Sequence, residues 1–300
     1  MPSWRDLRVE AERSLVAAGI ENAANEARWM VEHVSGFDAA ELVTAEDEPA
    51  PDRPAAHLTE LVGRRVAGEP LQYVLGGWLF RGLDLLVDPR VLIPRPETEV
   101  TAQVAIDEAV RLGARRGRSD PWSGAATTYS IADLGTGSGA LALALASELP
   151  DAEVWGTDVS DDALAVARAN LAGTGLPSTR VRLARGSWFD ALPAPLRRHL
   201  RLVVSNPPYV AESEVSELPA EVRHEPRGAL VSGTTGTEAI EELAREAPVW
   251  LEATGTFVCE IAPHQAEAAS KASTASGFDE VLVRRDLSGR DRVLVARMLG

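Results

Sequence analysis

The sequence predicts an α/β fold: a doubly wound, mostly parallel sheet of seven strands, entered through a β-hairpin connector and preceded by a small helical bundle. Three observations predict it. From residue 127 onward short apolar strands alternate with helical patterns, and that alternation places a parallel sheet between two helical layers. The last two strand patterns, 280–284 and 292–296, are too close in sequence for a crossover and so form an antiparallel hairpin at one edge. Before residue 76 the apolar periodicity is helical throughout.

In chain order, Trp4, Leu7, Ala11 and Leu15 share one helical face. Ala24, Ala27, Met30, Val31 and Val34 share a second, ended by Gly36. A third run carries Leu58, Leu61, Val62 and Val66, ended by Gly68, and the acidic, proline-containing stretch 46–54 reads as a loop. Residues 1–75 are therefore a helical bundle. Residues 76–96 read as a hairpin connector with turns at Gly82 and at Asp88-Pro89. The α/β domain occupies 97–300, opening on a helix over 97–112. Residues 113–123, rich in Arg, Gly and Ser, read as a flexible insertion, with Arg115, Arg116 and Arg118 as solvated charges rather than a phosphate contact. Strands follow at 129–134, 153–157, 180–183, 202–205 and 255–261, before the edge hairpin.

The chain has 300 residues, a formal net charge of −15, 5% aromatic residues and one cysteine, Cys259. One cysteine excludes an internal disulfide and a cysteine-clustered zinc site. The five histidines show no metal-ligand spacing, so no metal is expected. The acidic balance argues against a nucleic-acid partner, since phosphate binding calls for a basic face. No run of about 18 apolar residues exists to span a membrane, and the N-terminus lacks a signal pattern. A cytoplasmic protein is expected.

The first strand of the α/β domain runs into Asp133-Leu134-Gly135-Thr136-Gly137-Ser138-Gly139 and then an apolar helix. Glycines at 135, 137 and 139 allow a sharp turn and close approach to a ligand. Their spacing differs from the dinucleotide fingerprint, whose third glycine comes one residue later. Asp158, ending the second strand, is placed to accept from the hydroxyls of a ribose. The competing role for it, capping the next helix, suits Ser160 better. Asp133 orients either the loop or a ligand ammonium. The pattern predicts a nucleoside cofactor without saying which.

The fourth strand ends in Ser205-Asn206-Pro207-Pro208-Tyr209. These residue types suit the delivery of an activated methyl group to a planar NH2, whose lone pair is delocalised and poorly nucleophilic. The Asn206 side-chain oxygen and the Pro207 carbonyl are acceptors for its two N–H groups. The prolines add no competing donor, and the Tyr209 ring is a flat stacking face. Orientation and stabilised charge then replace a strong base.

With these motifs in place, the chain resembles the bacterial release-factor glutamine methyltransferases, the PrmC or HemK group, over nearly its whole length. The resemblance is carried by 68–73 (GEPLQY), by 92–99 (LIPRPETE), by the glycine loop, Asp158, Gly186-Ser187-Trp188 and Asn206 to Tyr209, then by Glu225-Pro226, Ala229-Leu230, Glu260-Ile261 and Gln265. It implies a class I methyltransferase fold with S-adenosyl-L-methionine held by Gly135, Thr136, Gly137, Ser138, Gly139, Asp158, Trp188 and Asn206. Trp188 is then either a wall for the adenine or a core tryptophan. The implied substrate is the glutamine of the Gly-Gly-Gln loop of peptide-chain release factors, gripped by Asn206, Pro207, Pro208 and Tyr209, with the bundle serving recognition. Arg95-Pro96-Glu97 either lines that pocket or forms an ion pair. This chain departs from the family at Arg201, where an acidic residue is usual, in a compressed region after Glu221, and in the longer 113–123 segment. The nearest competing activity is methylation of an adenine amine in DNA or RNA, which uses the same Asn-Pro-Pro-Tyr chemistry on an extracted base.

Overall fold

The computed structural model describes residues 1–114, 116–117 and 129–300. It divides into two compact units, Met1–Gly77 with Pro219–His224, and Trp78–Leu218 with Glu225–Gly300.

The first unit contains α1 (Trp4–Ala17), α2 (Ala23–Ser35), α3 (Ala39–Ala45), α4 (Asp52–Val66) and α5 (Leu71–Leu75). Ser3 and Asp6 form a capping box that starts α1, satisfying backbone donors that a helix start otherwise leaves open. Gly36 ends α2 in the left-handed conformation. Helix α3 starts on a second capping box, Asp38 with Glu41; at 7 residues it is too short to announce itself by periodicity, and no helix is expected there from sequence. The 46–54 loop is also shorter than expected. Helix α4 begins at Asp52, so Pro54 sits in its first turn, where a missing N–H costs no intrahelical bond. Trp4, Met30, Val31, Leu42, Leu58 and Leu61 form the core. Beside it the buried Arg65 guanidinium donates to Glu26 at 2.6 Å and to Glu221 at 2.7 Å. That second bond ties in the segment contributed from much later in the chain.

The second unit opens on the hairpin β1 (Gly77–Phe80) and β2 (Leu83–Leu86), followed by α6 (Pro96–Arg111). Then come β3 (Tyr129–Leu134), α7 (Ala140–Glu148), β4 (Ala152–Asp158), α8 (Asp161–Thr174), β5 (Val181–Arg185) and β6 (Leu200–Ser205). The chain finishes with α9 (Arg227–Leu230), α10 (Glu238–Trp250), β7 (Leu251–Glu260), α11 (Ala266–Ala275), β8 (Glu280–Arg285) and β9 (Asp291–Arg297). The seven-stranded sheet has the order β5-β4-β3-β6-β7-β9-β8. Strands β3 to β7 are parallel, and β9 enters antiparallel between β7 and the edge strand β8. The expected doubly wound sheet is present.

Alternation along the strands sends side chains to two cores. Ile131, Val154, Leu202, Val204 and Val258 pack under α6 and α7 with Phe80 and Leu85 of the hairpin. Ala132, Leu134, Val203, Phe257 and Cys259 pack under α10 and α11. Each fully buried large side chain contributes roughly 1.5–3 kcal/mol. Helix α7 is buried from Ala140 to Ala146, as that uniformly apolar run demands. Strand β7 starts four residues earlier than the sequence suggests. Its pairing with β6 jumps from Leu251 to Thr256, and the bulge at 252–255 hides the strand behind polar, exposed residues and Gly255. Of the 113–123 insertion, Arg115 and residues 118–123 lie outside the described residues, while Arg116 pairs with Glu148 at 3.0 Å.

Candidate active site

The order of strands reverses between β3 and β6, the point at which open α/β sheets bind ligands beyond their C-terminal ends. The loop leaving β3 is shaped by glycine: Gly135, Gly137 and Gly139 have φ of +72°, +55° and +83°. Two carboxylates hold it. Asp133, fully buried, accepts from the Thr136 hydroxyl at 2.6 Å and from the Ala142 N–H at 3.1 Å. Burial pushes its carboxyl up to about 7, with the Asp158 charge adding and those two hydrogen bonds opposing. Asp158 accepts from the Gly137 N–H and the Ser160 N–H, both at 2.9 Å. Ser160 in turn caps α8 through Ala163. Each Asp158 oxygen keeps a second lone pair for a ligand hydroxyl. Asn170, buried on α8, donates to the Ser138 carbonyl at 2.9 Å and bonds both backbone groups of Leu86. The hairpin thus braces the glycine loop.

The loop leaving β6 is held differently. The Ser205 hydroxyl donates to the Leu134 carbonyl at 2.6 Å. The Asn206 Nδ2 donates to Thr98 Oγ1 at 3.1 Å. Asn206 Oδ1 is buried and has no hydrogen-bond partner among the described residues. Beyond the prolines, the Tyr209 and Val210 N–H groups donate to the Leu230 carbonyl, and the Tyr209 carbonyl accepts from Gln265 Nε2 at 2.8 Å. Gly236 backs this turn so closely that a β-carbon there would stand 2.7 Å from the Tyr209 carbonyl oxygen.

Between the two loops lies a cavity of ≈ 400 Å³ lined by Gly135, Gly137, Asp158, Trp188, Asn206 and Pro208, among others. Trp188 has φ of +41°, an uncommon conformation for a bulky residue. Its carbonyl accepts from the Thr157 hydroxyl at 3.0 Å, and its ring lies against Gly135, 3.0 Å from where a β-carbon would be.

Comparison with known proteins agrees with this geometry. Residues 6–76 match the PrmC N-terminal domain and residues 123–235 the methyltransferase small domain. A release factor glutamine methyltransferase from Bordetella pertussis is 40% identical, covering 89% of this chain and 92% of its own. One from Deinococcus radiodurans is 36% identical over 99% of both chains. The chain belongs to the release factor glutamine methyltransferase family. The fold is also that of a methyltransferase from Pyrococcus furiosus, at a TM-score of 0.50 and 15% identity over 80% of this chain and 98% of that one.

Within this methyltransferase, Gly135, Thr136, Gly137, Ser138, Asp158, Trp188, Asn206 and Pro208 all reach the cavity wall. Three expected site residues do not. Gly139 turns the chain into α7 and packs on Ala167, where a β-carbon would meet the alanine methyl at 3.4 Å. Pro207 is buried and Tyr209 half-buried behind the wall. Burial lifts the Tyr209 phenol to about 12, with the nearby Glu260 charge adding. Trp188 lines the cavity and is also a half-buried neighbour of the second core. Arg95 pairs with Glu225, whose other oxygen accepts the Ile93 N–H at 3.0 Å. Of the two readings of 95–97, the ion pair is the one observed.

Sequence reasoning assigned no role to Val91, Leu92, Thr98, Pro226 and Gly228, which also line the cavity. They are apolar or small and lie far from either motif along the chain. Leu92, Thr98 and Pro226 belong to the family-like runs, while Val91 and Gly228 carry no such signal. Among the described residues, no cluster of three or more His, Cys, Asp or Glu side chains could hold a metal ion, and no helix is long and apolar enough to cross a membrane.

Proposed function

We propose that this chain transfers the methyl group of S-adenosyl-L-methionine to the side-chain amide nitrogen of the glutamine in the Gly-Gly-Gln loop of peptide-chain release factors, in the cytoplasm. The observation that carries this reading is the buried, unpartnered Asn206 Oδ1 at the end of β6. A buried amide oxygen left without a donor costs about 1–3 kcal/mol, and the N–H of a bound glutamine amide supplies that donor. The residues around the cavity suit the cofactor. Asp158 retains acceptor capacity for ribose hydroxyls, the Trp188 ring and the apolar residues 91–92 suit a nucleoside base, and the Gly135–Gly137 backbone lets a ligand approach closely. When bound, S-adenosylmethionine supplies an electrophilic methyl group on sulfur.

The chain's own groups do the rest. Asn206 accepts an N–H bond from the substrate amide, orienting its nitrogen and stabilising the positive charge that develops there. Rigidity comes from Pro207 and Pro208 and from the bonds to Leu230 and Gln265, so little reorganisation is needed. The nitrogen's surplus proton leaves to solvent after transfer, without a dedicated base. Tyr209, from its place behind the wall, packs the turn. The helical unit is proposed to recognise the release factor.

The test is incubation of the purified chain with methyl-labelled cofactor and a recombinant release factor, followed by peptide mapping. A single methyl on the Gly-Gly-Gln glutamine is expected, and none when that glutamine is alanine. Label in DNA or RNA adenine, with none in the release factor, would select the nucleic-acid activity instead.

A further inference from the structure

Among the described residues three other than glycine have positive φ: Arg81, Trp188 and Arg198. Only Trp188, at +41°, lines the cavity. For a side chain of that bulk the left-handed conformation is strained, and it persists only where surrounding groups hold it. The group that holds Trp188 is Thr157. Its hydroxyl donates to the Trp188 carbonyl at 3.0 Å. A carbonyl has no hydrogen to give, so the direction of this bond is fixed.

Thr157 lies in β4 beside Asp158, is fully buried, and does not itself line the cavity. A β-branched residue suits a strand, and valine would suit it equally well. The hydroxyl is therefore the part of Thr157 that strand packing does not explain. The same residue also holds the glycine loop, because its carbonyl accepts from the Gly135 N–H at 2.8 Å and the Thr136 N–H at 2.9 Å. Thr157 is thus bonded through its backbone to one side of the cavity and through its side chain to the other. The two sides meet where the Trp188 ring stands 3.0 Å from the place of a β-carbon on Gly135. The next residue adds a second tie, since the Asp158 carbonyl accepts from the Gly186 N–H at 3.0 Å. Positions 157 and 158 together set the spacing between the Asp158 carboxylate, the glycine loop and the aromatic wall.

We propose that the Thr157 hydroxyl is a positioning group that holds Trp188 in its left-handed conformation, so that the wall of the nucleoside site is formed before the cofactor arrives. This rests on the cofactor reading proposed above and deepens it. Without the hydroxyl, the corner at 186–188 relaxes to an ordinary φ in part of the population. Apparent affinity then falls by the fraction of molecules that still present the wall. The transfer step takes place at Asn206, on the other loop, and is untouched once the cofactor is bound.

The experiment compares wild type, Thr157→Val and Thr157→Ser for S-adenosylhomocysteine affinity by calorimetry and for release-factor methylation at saturating cofactor. Thr157→Val removes the hydroxyl and keeps the backbone bonds to residues 135 and 136. It should bind cofactor product about 5–10-fold more weakly, the range expected for one lost neutral hydrogen bond acting on a preformed site. Its rate at saturating cofactor should stay within about 2-fold of wild type, because occupied molecules all have the wall in place. Thr157→Ser keeps the hydroxyl and should bind as wild type does. Thr157→Cys, a poor donor of similar size, must behave as Thr157→Val does and takes its place should valine prevent folding. Unchanged affinity in Thr157→Val would overturn the proposal. So would a Thr157→Ser as weak as Thr157→Val, or a saturated rate that falls in step with affinity, since both mark a threonine that merely supports the fold. If wild type itself does not bind S-adenosylhomocysteine, the cofactor reading fails first, and that control separates the two.

Discussion

The loops leaving β3 and β6 face one cavity, yet they are built on opposite principles. The β3 loop gains its shape from glycines in left-handed conformations, and carboxylates at 133 and 158 pin its N–H groups and its Thr136 hydroxyl. The β6 loop gains its shape from two consecutive prolines and is pinned from behind through Ser205, Leu230 and Gln265. One is a backbone cradle that a ligand can approach closely. The other is a stiff bracket that presents one side-chain oxygen. The contrast teaches that binding and chemistry are separable here: strain in the first loop should act on cofactor affinity, and damage to the second on transfer rate.

The sharpest way to break that division is Asn206→Ala. It should lower the transfer rate by roughly 10²–10³-fold, the cost of losing one preorganised group at a developing charge, while S-adenosylhomocysteine affinity changes by less than about 3-fold. Comparable losses in both would dissolve the distinction.

The group behind the second loop gives the next largest effect, on stability. Burial lifts Glu260 from 4.5 to about 7, with Glu97 adding, while Thr98, Thr101 and Arg292 oppose. Because its folded value is raised, the folded chain holds the proton more tightly than the unfolded chain. Its contribution is favourable below about pH 4.5 and is lost as pH rises towards and past 7. Glu260→Gln removes that titration, so urea denaturation should show the variant gaining on wild type by about 2–3 kcal/mol between pH 5 and pH 8. A pH-independent difference would mean that the carboxyl is not held near 7.

The smallest effects come from a matched pair of glycines. Gly135→Ala adds a methyl at positive φ and 3.0 Å from the Trp188 ring, and should weaken cofactor-product binding by about 1–2 kcal/mol, near the strain of one left-handed residue. Gly236→Ala puts a methyl on the Tyr209 carbonyl instead and should slow transfer with affinity retained. Exchange of these phenotypes would reverse the assignment of the two loops.

Much of this was legible because it is periodic or local. Alternating strands and helices gave the sheet, the short link between the last strands gave their antiparallel pairing, and glycine and proline gave the two loops. What escaped has a common physical cause. Helix α3 rests on a capping box rather than an apolar stripe, and the bulge at 252–255 interrupts the pattern that defines β7. Thr98 and Gly228 reach the cavity through tertiary folding alone. Gly139 was assigned to the ligand because a glycine beside a ligand loop and a glycine beside a neighbouring helix read alike in one dimension.

The bond from Arg65 to Glu221 bears on how this protein can be divided. Residues 219–224 pack with the helices of the first unit although they are encoded inside the second. A fragment beginning at residue 78 would carry away Glu221 while leaving behind its guanidinium, and would strand a six-residue stitch without fabric. The two units therefore cannot be exchanged between homologues as simple cassettes. A chimera has to swap that stitch together with the amino-terminal helices.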